Sequence, residues 1–70
     1  MKKISDIEEI GQLLRQKREE QGLNQKEFAE AAGVGNRIVS EVERGKSTAQ
    51  IDKVLKLLKY AGLSIYIGDE

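Results

Sequence analysis

The sequence predicts a mainly α fold: a compact bundle of four to five short helices, closed by one C-terminal β-strand. Three observations predict it. Apolar residues recur at three- and four-residue steps through most of the chain, the spacing of one helical face. Gly22, Gly33, Gly45 and Gly62 each follow such a stretch, where a helix stops by passing into the left-handed conformation. At the end the period changes to two, in Leu63-Ser64-Ile65-Tyr66-Ile67, a run rich in β-branched and aromatic residues. With 70 residues, the chain makes one small domain with a modest core.

Each element has its own signal. Ser5-Asp6-Ile7-Glu8 reads as a capping box in which Ser5 and Glu8 satisfy two free amides. Ile7, Ile10, Leu13, Leu14 and Lys17 or Arg18 then share a face, which gives a helix over 6–21. Asn24-Gln25-Lys26-Glu27 is a second capping box, and the helix it opens, over 25–32, buries Phe28, Ala29 and Ala32. Gly33-Val34-Gly35 forms a turn. A helix over 36–44 then faces Val39 and Val42 inward. Ser47 or Thr48 caps a last helix reaching 61, with Ile51, Val54, Leu55, Leu57 and Leu58 inward.

The strand over 63–67 has no partner within the chain. An unpaired strand invites another strand, and an identical chain across a two-fold axis is the nearest source. Leu63, Ile65, Tyr66 and Ile67 are therefore expected at a homodimer contact, with Leu58 and Tyr60 as the floor beneath a ribbon that is only marginal alone.

Composition removes several function classes. There are no cysteines and no histidines, so disulfides, thiol chemistry, the usual zinc sites and histidine general-base catalysis are excluded. The 12 basic and 12 acidic residues cancel, and they stay balanced along the chain. A nucleic-acid ligand would have to meet a local cationic face. No apolar run approaches the ~20 residues that cross a bilayer, and Glu8 and Glu9 interrupt any signal core. The expectation is a soluble cytoplasmic chain with no membrane contact, no metal and no cofactor. Gly33-Val34-Gly35 lacks the preceding strand and following lysine–serine pair of a phosphate loop, and Ser40 has no base beside it. Glu8-Glu9 and Glu19-Glu20 are adjacent on helices and do not face one another, so they read as solvated faces. Lys53, Lys56 and Lys59 form a basic edge, read first as a solubilising surface. An enzyme is not expected.

Residues 25–44 make a helix, a short turn and a helix. Phe28, Ala32, Val34, Val39 and Val42 hold the pair to the core, Ala29 is small where the two helices pass, and Gly33 sits where the chain reverses. The second helix starts with Asn36, Arg37, Ser40 and Glu41, the end that enters a major groove when this arrangement is a helix-turn-helix. Asparagine pairs with adenine, arginine with guanine, and glutamate accepts from the cytosine amino group. A plain helical hairpin with solvated polar residues has the same periodicity. Arg37 and Glu41, four apart, also fit a simple surface ion pair.

The stretch from Gly22 through Gln25-Lys26-Glu27-Phe28-Ala29 to Gly33-Val34 resembles the core of the Xre, or lambda-repressor-like, helix-turn-helix family. Val39-Ser40-Glu41-Val42-Glu43-Arg44-Gly45-Lys46 continues the likeness, as does Ile10-Gly11-Gln12-Leu13-Leu14-Arg15-Gln16-Lys17-Arg18. The last helix with its alternating tail is similar to the HipB-like antitoxin branch, which pairs with a HipA-like kinase toxin. The resemblance implies a phosphate contact at Gln25, base-reading positions at Asn36, Arg37 and Glu41, and a phosphate contact at Lys46. It also implies an ion pair between Arg18 and Glu43. Gly35 departs from the usual serine or threonine, which loses a hydroxyl cap. Ile38 is larger than usual, and either meets a thymine methyl or packs.

The expectation is a dimeric repressor with a DNA-binding domain over 1–62 and a dimerisation tail over 63–70. It would read a pseudo-palindromic double-stranded operator and autoregulate a toxin–antitoxin operon. The alternatives are a stand-alone phage or host repressor, and a protein-interaction inhibitor that binds DNA only incidentally.

Overall fold

The computed structural model describes residues 3–69. Four helices follow in order: α1 (Ile7–Glu20), α2 (Gln25–Ala32), α3 (Asn36–Glu43) and α4 (Ile51–Tyr60). No fifth helix is present among the described residues.

The α1 start differs from the expected box by one residue. Asp6, with extended backbone, is the cap, and its carboxylate accepts the Glu9 amide at 2.9 Å. Glu9 in turn accepts the Ser5 amide at 3.3 Å. Aspartate caps as well as serine does, and a second carboxylate in the first turn also suits the helix dipole. The α2 box forms as expected. The Glu27 amide donates to Asn24 Oδ1 at 2.7 Å, and the Asn24 amide donates to Glu27 Oε1 at 2.9 Å.

α3 is the central element, packed on both α1 and α2, while α4 closes against α2 and α3. The core is Leu14, Phe28, Ala29, Ala32, Val39, Val42, Val54, Leu57, Leu58 and Ala61. Phe28 meets Tyr60 edge-to-face, with ring centroids 6.5 Å apart. α1 crosses α3 at Gly11. A Cβ there would collide with the Val42 carbonyl oxygen and stand 2.9 Å from that of Glu43. Only glycine allows this approach.

α4 begins later than expected. Ser47 and Thr48 lie in a turn, and the cap is Gln50, which makes no side-chain capping bond. Its carbonyl instead takes the Lys53 and Val54 amides. The inward stripe is Val54, Leu57 and Leu58. Ile51, 67% exposed, and Leu55 lie outside it. A short helix over a small core touches it along one narrow line, so apolar residues flanking that line stay wet.

The C-terminal strand is absent. Residues 63–69 form neither helix nor strand. Leu63 ties back through its amide to the Leu58 carbonyl at 2.9 Å and packs on the core, but Ile65, Tyr66 and Ile67 are exposed. A strand exists only as part of a ladder, and no second segment among the described residues completes one. The expected floor is already engaged, Leu58 in the core and Tyr60 against Phe28.

Candidate nucleic-acid interface

The turn between α2 and α3 is built by Gly33, at φ 75°, whose amide and that of Val34 close the end of α2. Val34 then packs on the core, and this sets the angle at which α3 departs. Gly35 caps α3 with extended backbone and no side-chain bond, so the hydroxyl cap is indeed missing. The first turn of α3 therefore presents its amides without a side-chain partner.

From that end, Asn36 and Arg37 project into solvent and Ser40 is half-buried. Ile38 is half-buried against the core, so it packs. Glu41 is turned inward. Its Oε2 accepts Arg37 Nε at 3.0 Å and Lys46 Nζ at 2.9 Å. The hydrogen bond from Lys46 is the main cause that holds the Glu41 carboxyl below its usual range; burial opposes it and Arg37 adds to it. Lys46 arrives there because Gly45, at φ 77°, lets the chain turn sharply beyond α3, and the Lys46 amide closes on the Glu41 carbonyl at 3.0 Å. Arg37, Glu41 and Lys46 line a shallow groove of about 340 Å³ with Ile38, Thr48 and Gln50.

A second network locks this face to the rest of the molecule. Arg18 binds Glu43 through both ends of its fork, Nε to Oε2 at 2.7 Å and Nη2 to Oε1 at 3.0 Å. Its Nη1 donates to the Leu23 carbonyl at 2.7 Å. The side chains are 10% and 3% exposed, and the Glu43 bond raises the Arg18 pKa above its ordinary value. Gln25 Nε2 donates to Glu43 Oε1 at 3.1 Å. The network thus joins the end of α1, the start of α2 and the end of α3. No buried side-chain nitrogen or oxygen among the described residues lacks a partner.

The structure therefore brings Gln25 beside the Arg18–Glu43 pair, and Arg37 beside Glu41 and Lys46. Among the described residues it gives the side chains of Asn36 and Ser40 no hydrogen bond to protein groups. Leu63, Ile65, Tyr66 and Ile67 lie apart, in the tail. Three features escaped the sequence reading. Gly11 carries no local mark, because its crowding comes from α3. The reach of Lys46 across a helix end follows no helical spacing. Gln25 is expected at a phosphate, but its bond to Glu43 has no signal in the spacing. The Arg37–Glu41 spacing is legible in the sequence, and the Arg18–Glu43 pair is implied by the resemblance.

The model of the family described as "Helix-turn-helix" matches residues 14–67. The chain is 50% identical over 66 residues to an uncharacterised HTH-type transcriptional regulator, y4mF, of Sinorhizobium fredii (strain NBRC 101917 / NGR234). That match covers 94% of this chain and 87% of the relative. Among solved structures, a HipA-HipB-O2-O3 complex has a chain of like fold, with TM-score 0.87 and 22% identity, covering 99% of this chain and 97% of that one. A HipB-O4 20mer complex is similar, with TM-score 0.86, 22% identity and 99% and 97% covered. Matched along most of its length and half identical to such a regulator, the chain belongs to the helix-turn-helix family of transcriptional regulators.

Proposed function

We propose that this chain is a sequence-specific DNA-binding repressor, a homodimer on a pseudo-palindromic operator in the cytoplasm. In this reading it is also the antitoxin and autoregulator of an operon encoding a HipA-like kinase toxin. One observation carries the DNA reading. The exposed start of α3 offers Asn36 and Arg37, with Ser40 behind and Lys46 alongside, on a helix held rigidly by Gly11 and the Arg18–Glu43–Gln25 network. Rigid placement of a few polar groups is what base readout demands. Asn36 and Arg37 read base edges, while Lys46, Gln25 and the first amides of α2 and α3 meet phosphates. Residues 1–62 form the DNA-binding unit and 63–70 the dimer contact. Among the described residues no helix is long and apolar enough to cross a membrane.

The kinase partner is supported by the likeness of fold to HipB in a complex with HipA. It is supported also by the apolar residues left exposed on α4 and the tail. Those residues and the zero net charge favour, as a second reading, a protein-interaction inhibitor that contacts DNA incidentally.

Selection from a randomised duplex library tests the first reading. Arg37→Ala is expected to relax preference at one operator position at a cost of about 1–3 kcal/mol. Gln25→Ala is expected to weaken all duplexes alike. Uniform weakening by Arg37→Ala, or no enriched sequence at all, rejects sequence reading. Co-purification with a kinase-like product of the adjacent gene tests the second half, and its failure leaves a stand-alone repressor.

A further inference from the structure

We infer that Glu41 is a positioning residue, which sets Arg37 and Lys46 for DNA and does not itself read a base. The inference rests on the DNA-binding role proposed for this face. A base-reading carboxylate must offer a free oxygen to the groove. Glu41 is poorly placed to do so: its side chain is 12% exposed, and its charge is already engaged at Oε2 by both Arg37 Nε and Lys46 Nζ, which leaves only Oε1 without a protein partner among the described residues. Arg37 remains 86% exposed.

The geometry leaves the working end of Arg37 open. Glu41 takes the Nε edge, and the Nη1 and Nη2 end makes no hydrogen bond among the described residues. That end is the fork which meets guanine O6 and N7. Arginine and lysine carry much rotamer freedom, and ordering such a side chain on binding costs affinity. A carboxylate that holds both stems in the free protein removes part of that cost. It also keeps two cations close together that would otherwise repel. Arg37 and Lys46 against Glu41 leave one net positive charge on the cluster.

Glu41 should therefore affect specific and non-specific binding in opposite directions. Its charge opposes DNA phosphates everywhere, whereas its hold on Arg37 aids only the matched sequence. The experiment uses the full chain, the duplex that wild type enriches from a randomised library, and an unrelated duplex of equal length. Glu41→Gln keeps the shape of the side chain and removes its charge, and circular dichroism checks its fold. The expected result is a loss of about threefold to tenfold in affinity for the enriched duplex. Affinity for the unrelated duplex should be unchanged or higher. In an Arg37→Ala background the same substitution should leave the ratio of the two affinities unchanged.

An unchanged ratio in the wild-type background overturns the positioning role. A loss that persists without Arg37 shows that Glu41 reads the DNA itself, and also overturns it. If Arg37→Ala leaves base preference intact, the DNA reading of Arg37 fails and this inference falls with it. If Glu41→Gln does not fold, Lys46→Gln is the second variant. It should release Glu41 toward Arg37 alone and weaken both duplexes by similar factors, and a selective loss on the enriched duplex would overturn the assignment of Lys46 to phosphate.

Discussion

Arg18 and Glu43 form the ion pair whose loss should cost most. Both are nearly out of water, and the carboxylate also serves Gln25. Removing one partner strands the other, so Glu43→Ala is expected to lose about 3–5 kcal/mol in a urea melt. The Arg18→Met/Glu43→Leu double variant should lose less than Glu43→Ala alone, because no buried charge remains. A loss under ~1 kcal/mol in Glu43→Ala would place the pair among weak surface contacts. Glu41 behaves differently. Its pKa is lowered in the folded chain, so its contribution is complete above the ordinary carboxylate value of 4.5 and is lost as pH falls through the lowered value. The difference in unfolding free energy between wild type and Glu41→Gln should thus be level from roughly pH 6 to 8 and shrink in acid. A difference that grew on acidification would contradict the Arg37–Glu41–Lys46 arrangement.

Among the elements, the α1–α3 crossing and the helix starts can be tested separately. Alanine at Gly11 gains up to about 1 kcal/mol of helix propensity. It also drives a methyl group into the backbone of α3, where neither carbonyl can retreat without moving the helix. Overpacking of this kind costs about 1–3 kcal/mol, so the net effect of Gly11→Ala is destabilising. The melting temperature should fall by several degrees, and a rise would mean that α1 can slide away from α3 freely. At the helix starts, Asn24→Ala breaks a complete capping box and should cost about 1 kcal/mol. Ser47→Ala and Thr48→Ala should stay within about 0.5 kcal/mol, since neither caps α4. Equal effects at Asn24 and Thr48 in the same melts would restore the cap first read from the sequence.

For the molecule as a whole, the distribution of exposed apolar side chains is uneven. Of the large ones, Ile51, Leu55, Tyr60, Ile65, Tyr66 and Ile67 belong to α4 or the tail, and only Ile4 lies elsewhere. Apolar surface concentrated on α4 and the tail suits contact with another protein chain, while the polar start of α3 meets DNA. Removal of residues 63–70 is expected to yield a monomer by sedimentation, with weak affinity for a half-site. Two copies of α3 in the intact dimer should stand about 34 Å apart, one turn of DNA, or a multiple of it. A truncated chain that still dimerises and keeps its operator affinity would exclude the tail as the dimer contact.

The sequence by itself determined the helices, their order and most of the core. Local signals carry that information: the Asn24–Glu27 box, glycines where helices stop, and the spacing of Leu14, Phe28, Val39, Val42 and Leu57. It also marked Asn36 and Arg37 as the exposed start of α3, and paired Arg18 with Glu43 by family likeness. Tertiary structure decided which apolar residues of α4 are wet, because that depends on the width of the surface beneath. It decided that Gly11 must be glycine, because the atoms that crowd it belong to α3. It turned Glu41 inward to Arg37 and Lys46, through a chain reversal at Gly45 that no periodic pattern records. Alternation in 63–67 indicated a strand, but a strand needs a neighbour, and the described residues supply none.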